Sequence, residues 1–123
     1  MVEPGLEVIL GITNKDGFGP ILMVGFGGTS VEASGDVAFA LCPVTPEKCE
    51  NLLEALKGSI LLDKKRYDLS ALVRLMTTLS SFAISVQHLI SEIDLNPVIL
   101  NSPGDGISIV DALMVKFDET SKR

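Results

Sequence analysis

The segment Glu92-Ile93-Asp94-Leu95-Asn96-Pro97 carries an acid, an acid and an amide at alternate positions, and Asp111 stands beyond the next turn. Alternation with period two puts Glu92, Asp94 and Asn96 on one face of a strand. If the final hairpin pairs Leu100 with Ile107, antiparallel partners follow from the same offset and Asn96 falls opposite Asp111. Directly opposed Cβ atoms lie about 4.5–5.5 Å apart. An amide oxygen and a carboxylate at that spacing can share one hard cation. Magnesium fits, because it prefers oxygen and is held by one or two protein groups plus waters and substrate phosphates. Pro97 biases Asn96 toward extended backbone, which keeps it in the strand. The opposite face carries Ile93, Leu95, Ile99, Val110, Ala112 and Met114 and is expected to build core.

The other residues capable of chemistry are sparse. Cys42 and Cys49 are the two cysteines. They make no disulfide framework and no Cys/His zinc cluster, and they read as small core hydrophobes in a reducing, cytoplasmic setting. His88 follows a long helical stripe, where a helix C-terminus favours imidazolium as a dipole partner. Lys64, Lys65 and Arg66 could touch phosphate, but a solvated loop is the preferred reading of them.

These residues need a scaffold, and the chain of 123 residues is long enough to bury a core as one domain, residues 1–123. Hydrophobic residues are 46% and charged residues 21%, a globular balance. The net charge of −6 argues against a general nucleic-acid binder, which needs clustered Lys and Arg. No apolar run is long enough to span a bilayer, and the first residues lack the pattern of a signal peptide.

Leu6–Ile12 and Ile21–Phe26 read as strands around the turn Asn14-Lys15-Asp16-Gly17, and Asp36–Cys42 as a third. Thr45-Pro46-Glu47 starts a helix with a hydroxyl cap, proline in the first turn and an acid against the dipole. Cys49, Leu52, Leu53 and Leu56 keep helical spacing, with Gly58 able to close the end. A second, longer helix begins near Asp68, its stripe running Leu69, Leu72, Val73, Met76, Leu79, Ala83, Val86 and Ile90. Two strands follow, 90–100 and 107–117, joined by Asn101-Ser102-Pro103-Gly104-Asp105-Gly106. The order βββααββ predicts an α/β protein of the α+β type: a mixed, largely antiparallel sheet with two main helices on one face.

Several of these segments resemble one family. Glu92-Ile93-Asp94-Leu95-Asn96-Pro97 is similar to the "E-[LI]-D-[LI]-N-P" signature late in the ATP-grasp domain of NDP-forming acyl-CoA synthetases, a group that includes ADP-forming acetyl-CoA synthetases and is related to succinyl-CoA synthetase. Pro4–Gly11 resembles its "PGxEVxxG" strand. Asp16–Pro20 with Met23–Gly28 resembles "D-x-x-FGPxxMxGxGG". Val31-Glu32, Asp36–Phe39 and Pro43 continue the pattern, and Val110-Asp111-Ala112 resembles the closing "VDA". The pieces occur in order over nearly the whole chain.

The resemblance implies the carboxy-terminal half of an ATP-grasp domain, with magnesium and ATP/ADP (or GTP/GDP) as cofactors. It implies that Asn96 and Asp111 hold the metal, and that Asp94 meets a phosphohistidine loop as a catalytic residue. In such enzymes acyl-CoA, phosphate and NDP are interconverted with carboxylate, CoA and NTP through an acyl phosphate and a phosphohistidine. The preceding ATP-grasp half and the CoA-binding, phosphohistidine-bearing subunit have no counterpart in these residues. They are therefore the expected partners, and the chain alone is expected to be inactive. Two departures stand out: the stretch Asp63–Asp68 replaces an Arg-Gly loop, and Leu113 follows "VDA" where Arg is common. The alternative is a non-catalytic ATP-grasp-like module acting in protein association, with the Gly25–Gly28 region as a contact in a homo-oligomer.

Overall fold

The computed structural model describes residues 5–15, 17–27 and 35–118. The resemblances carried by Pro4, Asp16, Gly28 and Val31-Glu32 lie outside those residues.

Strands β1 (Leu6–Thr13) and β2 (Ile21–Phe26) form the expected hairpin, antiparallel from Val8 opposite Phe26 to Thr13 opposite Ile21. Gly17 and Gly19 take φ of 80° and 85° between them, a backbone region open to glycine. β3 (Val37–Leu41) adds antiparallel to β2. β4 (Ile90–Leu100) pairs with the other side of β1, and β5 (Ile107–Ile109) and β6 (Ala112–Lys116) both pair with β4. The sheet order is β3-β2-β1-β4-β5, with β6 continuing along β4, and every pairing is antiparallel.

Two helices cover one face. α1 (Pro46–Ala55) starts where Thr45 accepts a hydrogen bond from the Lys48 amide at 3.1 Å. It closes at Leu56, and Gly58 serves another purpose: the Asp36 carboxylate accepts from the Lys57 and Gly58 amides, each at 2.8 Å. A single 3-10 turn follows at Ser59–Leu61.

α2 (Leu69–Ser85) is capped by Asp68, whose Oδ1 accepts from the Ala71 amide while Oδ2 accepts from the Gly104 and Gly106 amides at 3.1 and 2.9 Å. The cap thus ties the β4–β5 loop to the start of α2. The Gly106 and Ala71 amides, with smaller contributions from the Ser70 hydroxyl and Gly104, hold the Asp68 carboxyl below the usual carboxylate range.

The core lies between sheet and helices. Val8, Leu10, Leu22, Val24, Val98 and Leu100 are fully buried against Cys49, Leu72 and Met76. Cys49 is core as expected; Cys42 is half-buried, and burial pushes its thiol up to about 11. His88 is exposed, three residues past the end of α2.

Three expectations fail. Strand β4 does not keep one buried face: Ile93 and Leu95 are buried, then Val98 and Leu100, while Ile99 turns to the other side. The cause is a β-bulge. Val8 faces Val98 but Leu10 faces Leu95, so Asn96 and Pro97 together oppose Ile9. Pro97 has no N–H to give the ladder and is accommodated where pairing is already broken. The Asn96–Pro97 peptide is cis.

Val110, Ala112 and Met114 do not join the core either; Val110 is 59% and Met114 54% exposed. α2 packs chiefly over β1, β2 and β4 rather than over β6. The single strand expected at 107–117 is interrupted at Val110–Asp111.

Candidate functional site

The sheet face away from the helices is open, and β4 writes its chemistry onto it. Glu92 and Asp94 are half-buried and Asn96 is exposed, alternating with buried Ile93 and Leu95. The hairpin register holds as read: Leu100 faces Ile107, and with the same offset Asp94 faces Leu113 and Leu95 faces Ala112. Asn96 therefore stands opposite Asp111, and its N–H donates to the Asp111 carbonyl at 3.1 Å. The adjacent bond runs from the Val110 N–H to the Pro97 carbonyl at 3.0 Å. Both side chains of the pair are exposed. The Asp111 carboxylate is oriented by one oxygen, which accepts from the Ala112 amide at 2.9 Å.

These residues suit an ion that retains much of its own shell. Among the described residues no group of three His, Cys, Asp or Glu side chains is placed to hold a metal. That excludes, for them, a closed zinc-type cage, which uses four protein ligands. A neutral amide oxygen beside one carboxylate matches magnesium, which completes its octahedron with water and phosphate.

Rows across the sheet show what surrounds the pair. One row runs Phe39, Met23, Gly11, Asp94, Leu113; the next runs Leu41, Ile21, Thr13, Glu92, Val115. In these rows the face is thus apolar on the β3–β2 side, oxygen-bearing along β4, and apolar again at Leu113 and Val115 of β6. Phe39 and Leu41 are 60% and 59% exposed, an uncovered apolar floor. Gly11 keeps the middle low, since a Cβ there would come within 3.2 Å of the Met23 methyl.

Lys15 was not anticipated. Its Nζ lies 3.2 Å from Glu92 Oε2 and closes the oxygen row with a positive charge. The alternation of Val37, Phe39 and Leu41 could have signalled the apolar floor, but nothing local marks Lys15. Lys64 belongs elsewhere, lining a groove on the helix layer.

The ATP-grasp domain family matches residues 1–115. The β subunit of an ADP-forming acetate–CoA ligase II from Pyrococcus furiosus is 34% identical over 119 residues, covering 94% of this chain and 50% of that protein. An ADP-forming 4-hydroxybutyrate–CoA ligase from Nitrosopumilus maritimus is 36% identical over 115 residues, covering 90% of this chain and 16% of that protein. The chain thus spans half, or much less, of the curated relatives it matches.

Among solved structures, a Pyrococcus horikoshii protein superposes with a TM-score of 0.86 at 34% identity, over 97% of this chain and 52% of that one. A dinucleotide-forming acetyl-coenzyme A synthetase from Ca. Korarchaeum cryptofilum, solved with coenzyme A and Mg-AMPPCP, superposes with a TM-score of 0.82 at 31% identity, over 95% and 55%. By sequence and by fold, the chain belongs to the ATP-grasp family, in the branch found in ADP-forming acyl-CoA synthetases.

Proposed function

We propose that this chain supplies the magnesium-binding side of the nucleotide site in an NDP-forming acyl-CoA synthetase. The observation that carries the reading is the Asn96–Asp111 pair, set in register at the edge of the open face by a backbone hydrogen bond. Asn96 and Asp111 would hold magnesium there, and the ion would supply charge neutralisation to the phosphates. The chain's own part is to present the Asn96 amide oxygen and one Asp111 carboxylate oxygen, leaving the remaining positions to water and phosphate.

Asp94 lies on the same face, between Gly11 and Leu113, where it can accept a hydrogen bond from a segment arriving over the phosphates. The Korarchaeum protein, crystallised with its phosphohistidine segment pointing towards the nucleotide site, supports that role for the arriving segment. The apolar floor of Met23 and Phe39 suits a nucleobase or the other ATP-grasp half. The relatives are ADP-forming, which makes adenine the first nucleotide to test against guanine. Among the described residues no helix is long and apolar enough to cross a membrane, and we place the assembled enzyme in the cytoplasm.

The test is reconstitution with the remaining ATP-grasp half and a CoA-binding, phosphohistidine-bearing subunit. Nucleotide binding followed by calorimetry should depend on magnesium and lose that dependence in Asn96→Ala/Asp111→Ala. Asp94→Asn should keep nucleotide binding and lose phosphoryl transfer to the histidine. Equal magnesium-dependent binding by the double variant removes the metal assignment.

A further inference from the structure

The helix layer carries a second surface feature, independent of the nucleotide reading. A groove of about 710 Å³ runs between α1 and α2. Its apolar floor includes Leu53 and Val73. Its exposed charges are segregated by element: α1 contributes Glu50 and Glu54, one turn apart, whereas α2 and the loop before it contribute Arg74 and Lys64. Asp68, which also lines the groove on the α2 side, is buried with its carboxylate taken up by the Ala71, Gly104 and Gly106 amides. Within one chain neither glutamate comes within ion-pair distance of either cation. Beside the groove, between the lining residues Ser59 and Leu62, the 3-10 turn lifts Ile60 and Leu61 into solvent, 88% and 51% exposed. An isoleucine that open, next to an unfilled apolar floor, marks a contact surface.

We propose that this groove is a self-complementary interface and that its occupant is a second copy of this chain. The charge layout selects that partner. A two-fold axis parallel to the groove turns the acidic α1 wall of one copy onto the basic wall of the other, and does so twice. The same rotation offers Ile60 and Leu61 of each copy the other's apolar floor. The interface is isologous, lies on the helix layer, and leaves the open face with Asn96 and Asp111 uncovered. It differs from a contact through the Gly25–Gly28 region.

Charge swapping tests this directly. Glu50→Lys/Glu54→Lys makes both walls basic, and Lys64→Glu/Arg74→Glu makes both acidic. Each should weaken self-association by ~10-fold or more, read by sedimentation equilibrium, because like charges then face each other in both halves of the interface. An equimolar mixture of the two variants restores opposite charges at both contacts and should recover the dimer. So should one chain carrying all four reversals. Circular dichroism and melting confirm that each variant is folded. The mixture and the fourfold variant separate wall pairing from net charge, which is −6 in the parent chain. A parent chain that stays monomeric at submillimolar concentration overturns the proposal. So does a dimer unaffected by either double reversal, or two folded double variants that fail to recover it when mixed.

Discussion

The bulge at Asn96–Pro97 makes a sharp prediction about neighbouring residues. Val98 is fully buried, whereas Ile99 lies half-buried on the open face. Val98→Ala removes two methyl groups from a site that cannot reach solvent. At about 0.8 kcal/mol per methyl-sized group, the transfer loss is about 1.6 kcal/mol. The cavity left among Val8, Leu10 and Leu100 adds to it, for a total of about 2–3 kcal/mol. Ile99→Ala removes more carbon from a half-exposed position and should cost about 1 kcal/mol or less. For a chain of this size the first change lowers the melting temperature by roughly 10 °C, the second by a few degrees.

Urea denaturation followed by far-ultraviolet circular dichroism reads both, provided the slope with denaturant is unchanged between variants. A strand alternating without interruption from Ile93 would bury Ile99 and expose Val98, reversing the order. If Ile99→Ala proves as costly as Val98→Ala, the bulge is misplaced. The position of Asn96 on the open face would then need a different explanation.

Four further outcomes follow from single groups. The folded Asp68 carboxyl titrates below its unfolded value of about 3.9, so its bonds stabilise fully above that value and are lost as pH falls through the lower folded one. Asp68→Asn, whose amide nitrogen cannot accept from the Gly104 and Gly106 amides, should lower the urea midpoint at neutral pH and flatten its fall as the pH drops below the ordinary carboxylate range. Cys42, with its thiol near 11, should react with a disulfide reagent at neutral pH roughly two orders of magnitude more slowly folded than unfolded. Gly25→Ala should destabilise by about 1–3 kcal/mol, since its Cβ would lie 2.8 Å from Val37 Cγ1 and 3.1 Å from the Asp36 carbonyl. Gly11→Ala meets only the flexible end of Met23 and should be tolerated within about 1 kcal/mol in a thermal melt.

What could be read from the sequence was local or followed from one turn. Thr45 and Asp68 announce their helices because a cap is a contact over three residues. The Asn96–Asp111 pairing follows from the loop at 101–106, since a hairpin's turn sets the register of everything along it. The buried face of β4 failed because the bulge is a choice made jointly with β1. Pro97 was visible, yet its effect depends on Ile9, far away in the chain. The exposure of β6 failed for a layering reason. Apolar strand residues become core only where something covers them, and the position of α2 over β1, β2 and β4 is a property of the whole packing. The Lys15–Glu92 ion pair and the two-sided charge of the helix groove are likewise products of assembly.

On the proposed reading, the exposure of Asn96 and Asp111 determines what the chain can do by itself. A unit charge pair at about 4 Å is worth about 1 kcal/mol in water and about 4 kcal/mol at the effective dielectric of a partly enclosed site. Magnesium also gives up its waters reluctantly, and one neutral amide with one solvated carboxylate offers little in exchange. Alone, the chain should therefore show no shift in melting temperature with millimolar magnesium, and Asn96→Ala/Asp111→Ala should not alter that result. Covering the open face would change the balance, by lowering the dielectric around Asp111 and bringing phosphate oxygens to the vacant coordination positions. Magnesium and nucleotide should then stabilise the assembled site together and neither should do so alone, a coupling measurable as a melting shift that appears only when both are added. A shift of the isolated chain by magnesium alone, abolished by the double variant, would mean that the pair is a metal site in its own right and that the missing cover is not what completes it.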